Sequence, residues 1–137
     1  MSSTVVPFVR KLIPCLKVEM TGEGADGHYV LTEPLTVIDQ PDSRINLAVY
    51  ALLVEGIGTV EIQLEVRHTK DGHSFRNIGW SSVVEVSFST ETRGLQGGKL
   101  AFALRQLPMM NPGVYEFRVT SNGEDLPGER AEIRVIS

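Results

Sequence analysis

The sequence predicts an all-β fold: a single antiparallel β-sandwich of seven to eight strands, immunoglobulin-like, with Greek-key connections. Three observations predict it. In residues 111–136, Tyr115, Phe117 and Val119 alternate with Glu116, Arg118 and Thr120, the period-2 pattern of a strand with one dry and one wet face. Asn122-Gly123 follows at once, and both residues tolerate φ > 0, as a type I′ hairpin turn demands. Residues 59–68 (TVEIQLEVRH) alternate in the same way, and turn signals separate most of the other apolar segments, as in sandwiches and barrels.

Each element has its own justification. Residues 12–20 are the first strand, and residues 1–10 form a flexible N-terminal segment of the single 1–137 domain. Residues 21–27 (TGEGADG) are a loop. Residues 28–38 are extended but interrupted by Pro34, with Leu35–Ile38 as the paired part. Residues 44–55 (RINLAVYALLVE) are apolar on both strand faces, Ile45, Leu47, Val49, Ala51 and Leu53 on one, Ala48, Tyr50, Leu52 and Val54 on the other. A helix capped by Asp42 or Ser43 and ended by Gly56 is the alternative; the interspersed β-branched and aromatic residues favour a strand, central or turned to a partner.

In 59–68, Val60, Ile62, Leu64 and Val66 point in, while Glu61, Gln63, Glu65 and Arg67 point out. Thr69-Lys70-Asp71-Gly72 predicts a tight hairpin into Ser74–Ile78. Val84, Val86 and Phe88 share one face of 82–90; Leu100, Phe102 and Leu104 point inward from 99–107. Met109 and Met110 plug a sandwich end. Across the Asn122-Gly123 turn, Leu126 pairs with Val119 and points inward, yet Ala131, Ile133 and Val135 have the opposite parity. One residue must be absorbed between them, and Pro127-Gly128 is the natural bulge.

Composition narrows the function classes. A chain of 137 residues fits one domain with a core that needs no staples. A net charge of -4 and a pI near 5.4 argue against a nucleic-acid partner and against anionic membranes. The one cysteine, Cys15, forms no intramolecular disulfide, which favours the cytoplasm. No signal peptide or apolar run of spanning length is present.

Candidate chemistry is sparse. His68 and His73 flank Asp71-Gly72, and His28 lies apart, which is short of a zinc ligand set. Asp26 with Glu23, and Asp39 with Asp42, are loop carboxylates too few for calcium. No serine sits in a nucleophile elbow, and Cys15 lies among apolar neighbours. Glu61, Glu65, Glu85, Glu116 and Glu132 fall on wet strand faces and read as solubilising residues. No phosphate loop is present, and no cofactor is expected. Trp80, Phe75 and Tyr29 are the candidate ligand-binding aromatics.

From about residue 16 onward, the apolar strand NLAVYALLVEGIG, the alternating VEIQLEV, the Lys-Asp-Gly turn and the Pro-Gly-x-Tyr-x-Phe-x-Val run at 112–119 resemble a small bacterial β-sandwich family. That resemblance implies an immunoglobulin-like fold and no assigned activity, and carries over no functional residue. The expectation is a non-enzymatic protein-interaction or structural module, self-associating through an edge or through the surplus apolar face of 44–55. A carbohydrate or small-ligand module using Trp80, Phe75 or Tyr29 is the alternative, and a hydrolytic enzyme the third.

Overall fold

Alternation assigns each side chain a face before any partner strand is known. In the computed structural model, which describes residues 5–21, 28–39, 44–88, 98–109 and 111–136, the described residues form eleven strands. They are β1 (Phe8–Thr21), β2 (His28–Pro34), β3 (Val37–Ile38), β4 (Ile45–Val54), β5 (Gly58–Thr69), β6 (Arg76–Trp80), β7 (Val84–Phe88), β8 (Gly98–Leu107), β9 (Gly113–Ser121), β10 (Glu124–Asp125) and β11 (Ala131–Val135). One sheet runs β2-β1-β4-β8. The other runs β3-β11-β9-β5-β6, with β10 beside β9 and β7 beside β5. The all-β sandwich forms as expected. Its strand number exceeds seven to eight partly because β3 and β10 hold two residues each, and β3 runs parallel to β11, so the second sheet is mixed.

The core follows the predicted parity. Residues 44–55 are a strand: β4 lies between β1 and β8 and buries Leu47, Val49, Ala51 and Leu53. Val60, Ile62, Leu64 and Val66 of β5 meet Phe102 and Leu104 of β8 and Tyr115, Phe117 and Val119 of β9 in one cluster. Met109 closes it; Met110 lies outside the described residues. Strand β5 pairs with β9 along one side and with β7 and then β6 along the other. Where that second side changes partner, Ser81 bridges the gap: its hydroxyl accepts from Leu64 N at 2.9 Å and its amide donates to Leu64 O at 2.9 Å.

Four expectations are corrected. Residues 5–10 are not a loose segment: Val5 exchanges backbone bonds with Ile57, and β1 begins at Phe8. In 28–38 the long paired part is His28–Pro34, before the proline rather than after it. Pro34 takes the strand's last position, Glu33 turns through φ 52, and the chain then crosses to the other sheet as β3. The Asp71-Gly72 turn is not tight, because the last ladder pair is His68 with Arg76. In the C-terminal hairpin, Asn122 and Gly123 turn at φ 53 and 83, and Ser121 faces Glu124, as predicted. The break also falls at Pro127-Gly128, but it absorbs three residues rather than one. Phe117, which an unbroken ladder would place opposite Gly128, faces Ala131.

The extra residues make a joint between the sheets. Val9 of β1 donates its N–H to Pro127 O at 2.8 Å and accepts from Glu129 N at 2.8 Å, a parallel bridge around Gly128. A Cβ at Gly128 would lie 2.2 Å from Val9 O, and its φ of 116 suits glycine alone. On β1, Val9 faces Leu53 and Lys11 faces Leu52, so a bulge at Arg10 sits beside the joint.

Strand β1 is also bent. Its pairing with β4 ends at Cys15–Ala48, while its pairing with β2 continues to Thr21–His28. Tyr29 faces Met20, and Tyr50 faces Ile13. Seven extended residues span roughly 23 Å, yet the Tyr29 and Tyr50 rings lie 5.5 Å apart. The distal part of the β1–β2 hairpin therefore folds back over the outer face of β4 and β8, where Tyr29 Oη donates to Lys99 O at 3.4 Å. This hairpin covers part of the apolar outer face of β4, where Tyr29 lies against Tyr50.

Replacing Gly128 with alanine is expected to cost more than about 3 kcal/mol, because backbone atoms of the other sheet must move. The same change at Gly123, where φ is also positive but the space is open, is expected to cost only about 1 kcal/mol. Urea midpoints of the two variants check this.

Candidate ligand-binding face

The outward face of β5, β9 and β11 carries the polar residues of the alternating strands. Glu65 stands opposite Arg118, Arg67 opposite Glu116, and Glu116 opposite Glu132. Cross-strand pairing brings these side chains within reach of one another, and the structure uses that reach for Glu65 with Arg118 and Arg67 with Glu116. Arg118 is bidentate on Glu65, with Nε donating to Oε2 at 3.1 Å and Nη2 to Oε1 at 3.0 Å, while its Nη1 donates to Asp125 at 2.8 Å. Arg130 reaches Asp125 at 2.5 Å and Glu116 at 3.6 Å. Arg67 completes the series on Glu116.

Three arginines and three carboxylates thus form one neutral ladder. Glu65 and Glu116 are only 4% and 8% exposed. The expectation that they are solvated, solubilising residues is corrected: they face outward, but arginines from neighbouring strands cover them.

At the β6 edge the ladder meets two aromatic rings. The Arg67 guanidinium lies 4.4 Å from the Phe75 ring centroid, and its Nε is buried with no hydrogen-bond partner among the described residues. Trp80 stands opposite Glu65, two positions along the same face of β5. Phe75 and Trp80 are 40% and 50% exposed, so both rings are open to solvent. Of the three predicted aromatics, the structure brings these two together on one edge. Tyr29 belongs to the other sheet, against Tyr50.

The loop that presents Phe75 is held by Asp71. Its Oδ1 accepts from His73 N at 2.8 Å, Ser74 N at 3.0 Å and Thr69 Oγ1 at 3.2 Å. The amides of Ser74 and His73 stabilise the carboxylate and hold its pKa below the usual aspartate range. This explains why Asp71-Gly72 does not make a two-residue turn: the aspartate organises a longer loop through its side chain.

His68 and His73 do not converge. His68 is buried, stacks on Tyr115 at 4.4 Å and bonds to Pro112 O at 3.0 Å, while His73 is exposed. Among the described residues no cluster of three or more potential ligands could hold a metal ion. Asp39 is exposed; Glu23, Asp26 and Asp42 lie outside the described residues, as does the side chain of His28. Cys15 is buried, donates to Ala48 O at 3.4 Å, and burial raises its thiol pKa above the usual value. Among the described residues no helix is long and apolar enough to cross a membrane.

No known protein family matches the chain, and no curated protein matches it. Among solved structures it is similar to the Pseudomonas fluorescens alkylpurine DNA glycosylase AlkC bound to DNA containing an abasic site analog, at 14% identity and a TM-score of 0.45. The likeness covers 93% of this chain and 31% of the glycosylase. Against the expectations of a protein-interaction module without catalysis and of a partner set without nucleic acid stands this likeness to an enzyme on DNA. At this TM-score the likeness assigns neither activity nor ligand to this chain.

Replacing Arg118 with methionine strips Glu65 of its only ion-pair partner among the described residues and is expected to destabilise the fold by about 3 kcal/mol. The double variant Arg118→Met with Glu65→Gln is expected to regain most of that loss, as a denaturation double-mutant cycle measures. The Asp71 contribution has the sign of a depressed carboxylate: present above the unfolded pKa, lost as pH falls through the folded one. Amide NMR signals of residues 70–75 are therefore expected to stay fixed at pH 5 and to shift only below about pH 4.

Proposed function

We propose that the chain is a binding module that stacks planar rings, those of nucleobases in single-stranded nucleic acid, on the strip formed by Trp80, Arg67 and Phe75. One observation carries the reading: two exposed aromatic rings share one sheet face and one edge, and the Phe75 ring is backed by a guanidinium already fixed by Glu116. Trp80 faces Glu65 and the Phe75 ring lies against the Arg67 guanidinium, so both rings flank the outward face of β5 at the same edge. Every base offers a π-face, so stacking of this kind tolerates sequence.

Charge limits the mode of binding. The ladder is neutral and the chain is acidic overall, so phosphate contacts fall to the exposed Arg76 and Lys70 beside the strip. Stacking supplies most of the affinity, and the salt dependence is shallow. The lone buried thiol of Cys15 suits a reducing compartment and supports a cytoplasmic role.

Trp80 is the chain's one tryptophan, so its fluorescence reports the strip directly. Titration with a decameric oligodeoxythymidine is expected to quench it, with log K falling by about one to two units per log unit of salt. Phe75→Ala is expected to weaken binding about 5- to 150-fold, the scale of one stacked base. An unquenched Trp80, or a Phe75→Ala variant that binds unchanged, overturns the proposal.

A further inference from the structure

The bend in β1 leaves a second, separate hollow on the opposite sheet. A cleft of about 680 Å³ lies where the β1–β2 hairpin diverges from β4, within the usual size range of small-molecule sites. Leu16, Lys17 and Val18 of the hairpin form one wall. Ala48 and Ala103, paired directly across β4 and β8, form the floor, and their small side chains keep it open.

The far lip is a bulge. Leu47 faces Leu104 and Ile45 faces Leu107, so Arg105 and Gln106 together oppose Asn46. Gln106 sits at φ 58, a left-handed conformation that a non-glycine residue adopts only when neighbours hold it. Two side chains from across the ladder hold it there: Asn46 Oδ1 accepts from Gln106 N at 2.9 Å, and Arg44 Nη1 donates to Gln106 O at 3.0 Å. A bulge fixed in this way re-aims its residues at a sheet edge. Arg105 of this bulge is exposed and makes no ion pair among the described residues, whereas Lys17 across the cleft is already paired with Glu19 at 2.6 Å.

We propose that this cleft binds a small amphipathic monoanion, a medium-chain carboxylate, with its apolar body on the alanine floor against Leu16 and its carboxylate on Arg105. An apolar floor beside Arg105, a cation lining the cleft with no ion-pair partner among the described residues, matches that chemistry. The site shares no residue with the Trp80–Phe75 strip and stands or falls independently of it.

The probe is 8-anilinonaphthalene-1-sulfonate, which brightens on entering an apolar site, with decanoate below its micelle-forming concentration as competitor. The expected result is saturable binding that decanoate displaces and decanol at equal concentration does not. Arg105→Gln is expected to weaken the probe about tenfold, the scale of one charge-assisted contact. Ala103→Leu, a substitution at an exposed strand position that the fold tolerates, is expected to abolish binding by filling the floor. Trp80→Ala is expected to leave it unchanged. Absence of saturable binding, equal displacement by decanol, unchanged binding in Arg105→Gln and Ala103→Leu, or loss of binding in Trp80→Ala overturns the proposal.

Discussion

The two sheets are joined through the backbone at Val9, whose N–H and C=O are both taken by the segment around Gly128. Much of the sandwich's geometry depends on that joint. It sets where β1 crosses the end of the other sheet, and the Arg10 bulge beside it keeps Leu12 on the inner face after the crossing. It also explains why the C-terminal hairpin abandons its ladder. The chain leaves β9 after Leu126, reaches across to Val9, and returns as β11 in a new register. A side chain at residue 128 would occupy the space of the Val9 carbonyl, so the joint is possible only with glycine there.

Side-chain parity was legible wherever a segment alternates, because alternation depends on the pleat alone. The inner faces of β4, β5, β8 and β9, the Asn122-Gly123 turn and the break after Leu126 all follow from it. What depended on non-local partners was not legible. The break absorbs three residues because Val9 lies across from it, and nothing near residue 128 announces Val9. The outer face of β4 looked surplus because the hairpin that folds over it comes from the Cys15–Pro34 region, which shows no sign of bending in its sequence.

The same limit applies to the arginine–carboxylate face. Glu65, Arg67, Glu116 and Arg118 all fall on wet positions of their strands, which is correct as far as parity goes. Parity reports which side of a sheet a residue takes, not what stands beside it. The antiparallel register of β5 and β9 turns four solvated residues into two cross-strand ion pairs, and the hairpin return adds Asp125 and Arg130. Phe75 and Trp80 were recognisable as exposed aromatics, but their grouping apart from Tyr29 required the sheet order.

The neutral ladder has a further consequence for anything that lands on it. Arginine carries about 2 kcal/mol of rotamer entropy in a free side chain. Arg67, Arg118 and Arg130 are each held by a carboxylate, so much of that freedom is already lost when the chain folds. A ring that settles against Arg67 and Phe75 therefore meets a surface whose side chains need little further ordering, and more of the contact energy remains as affinity.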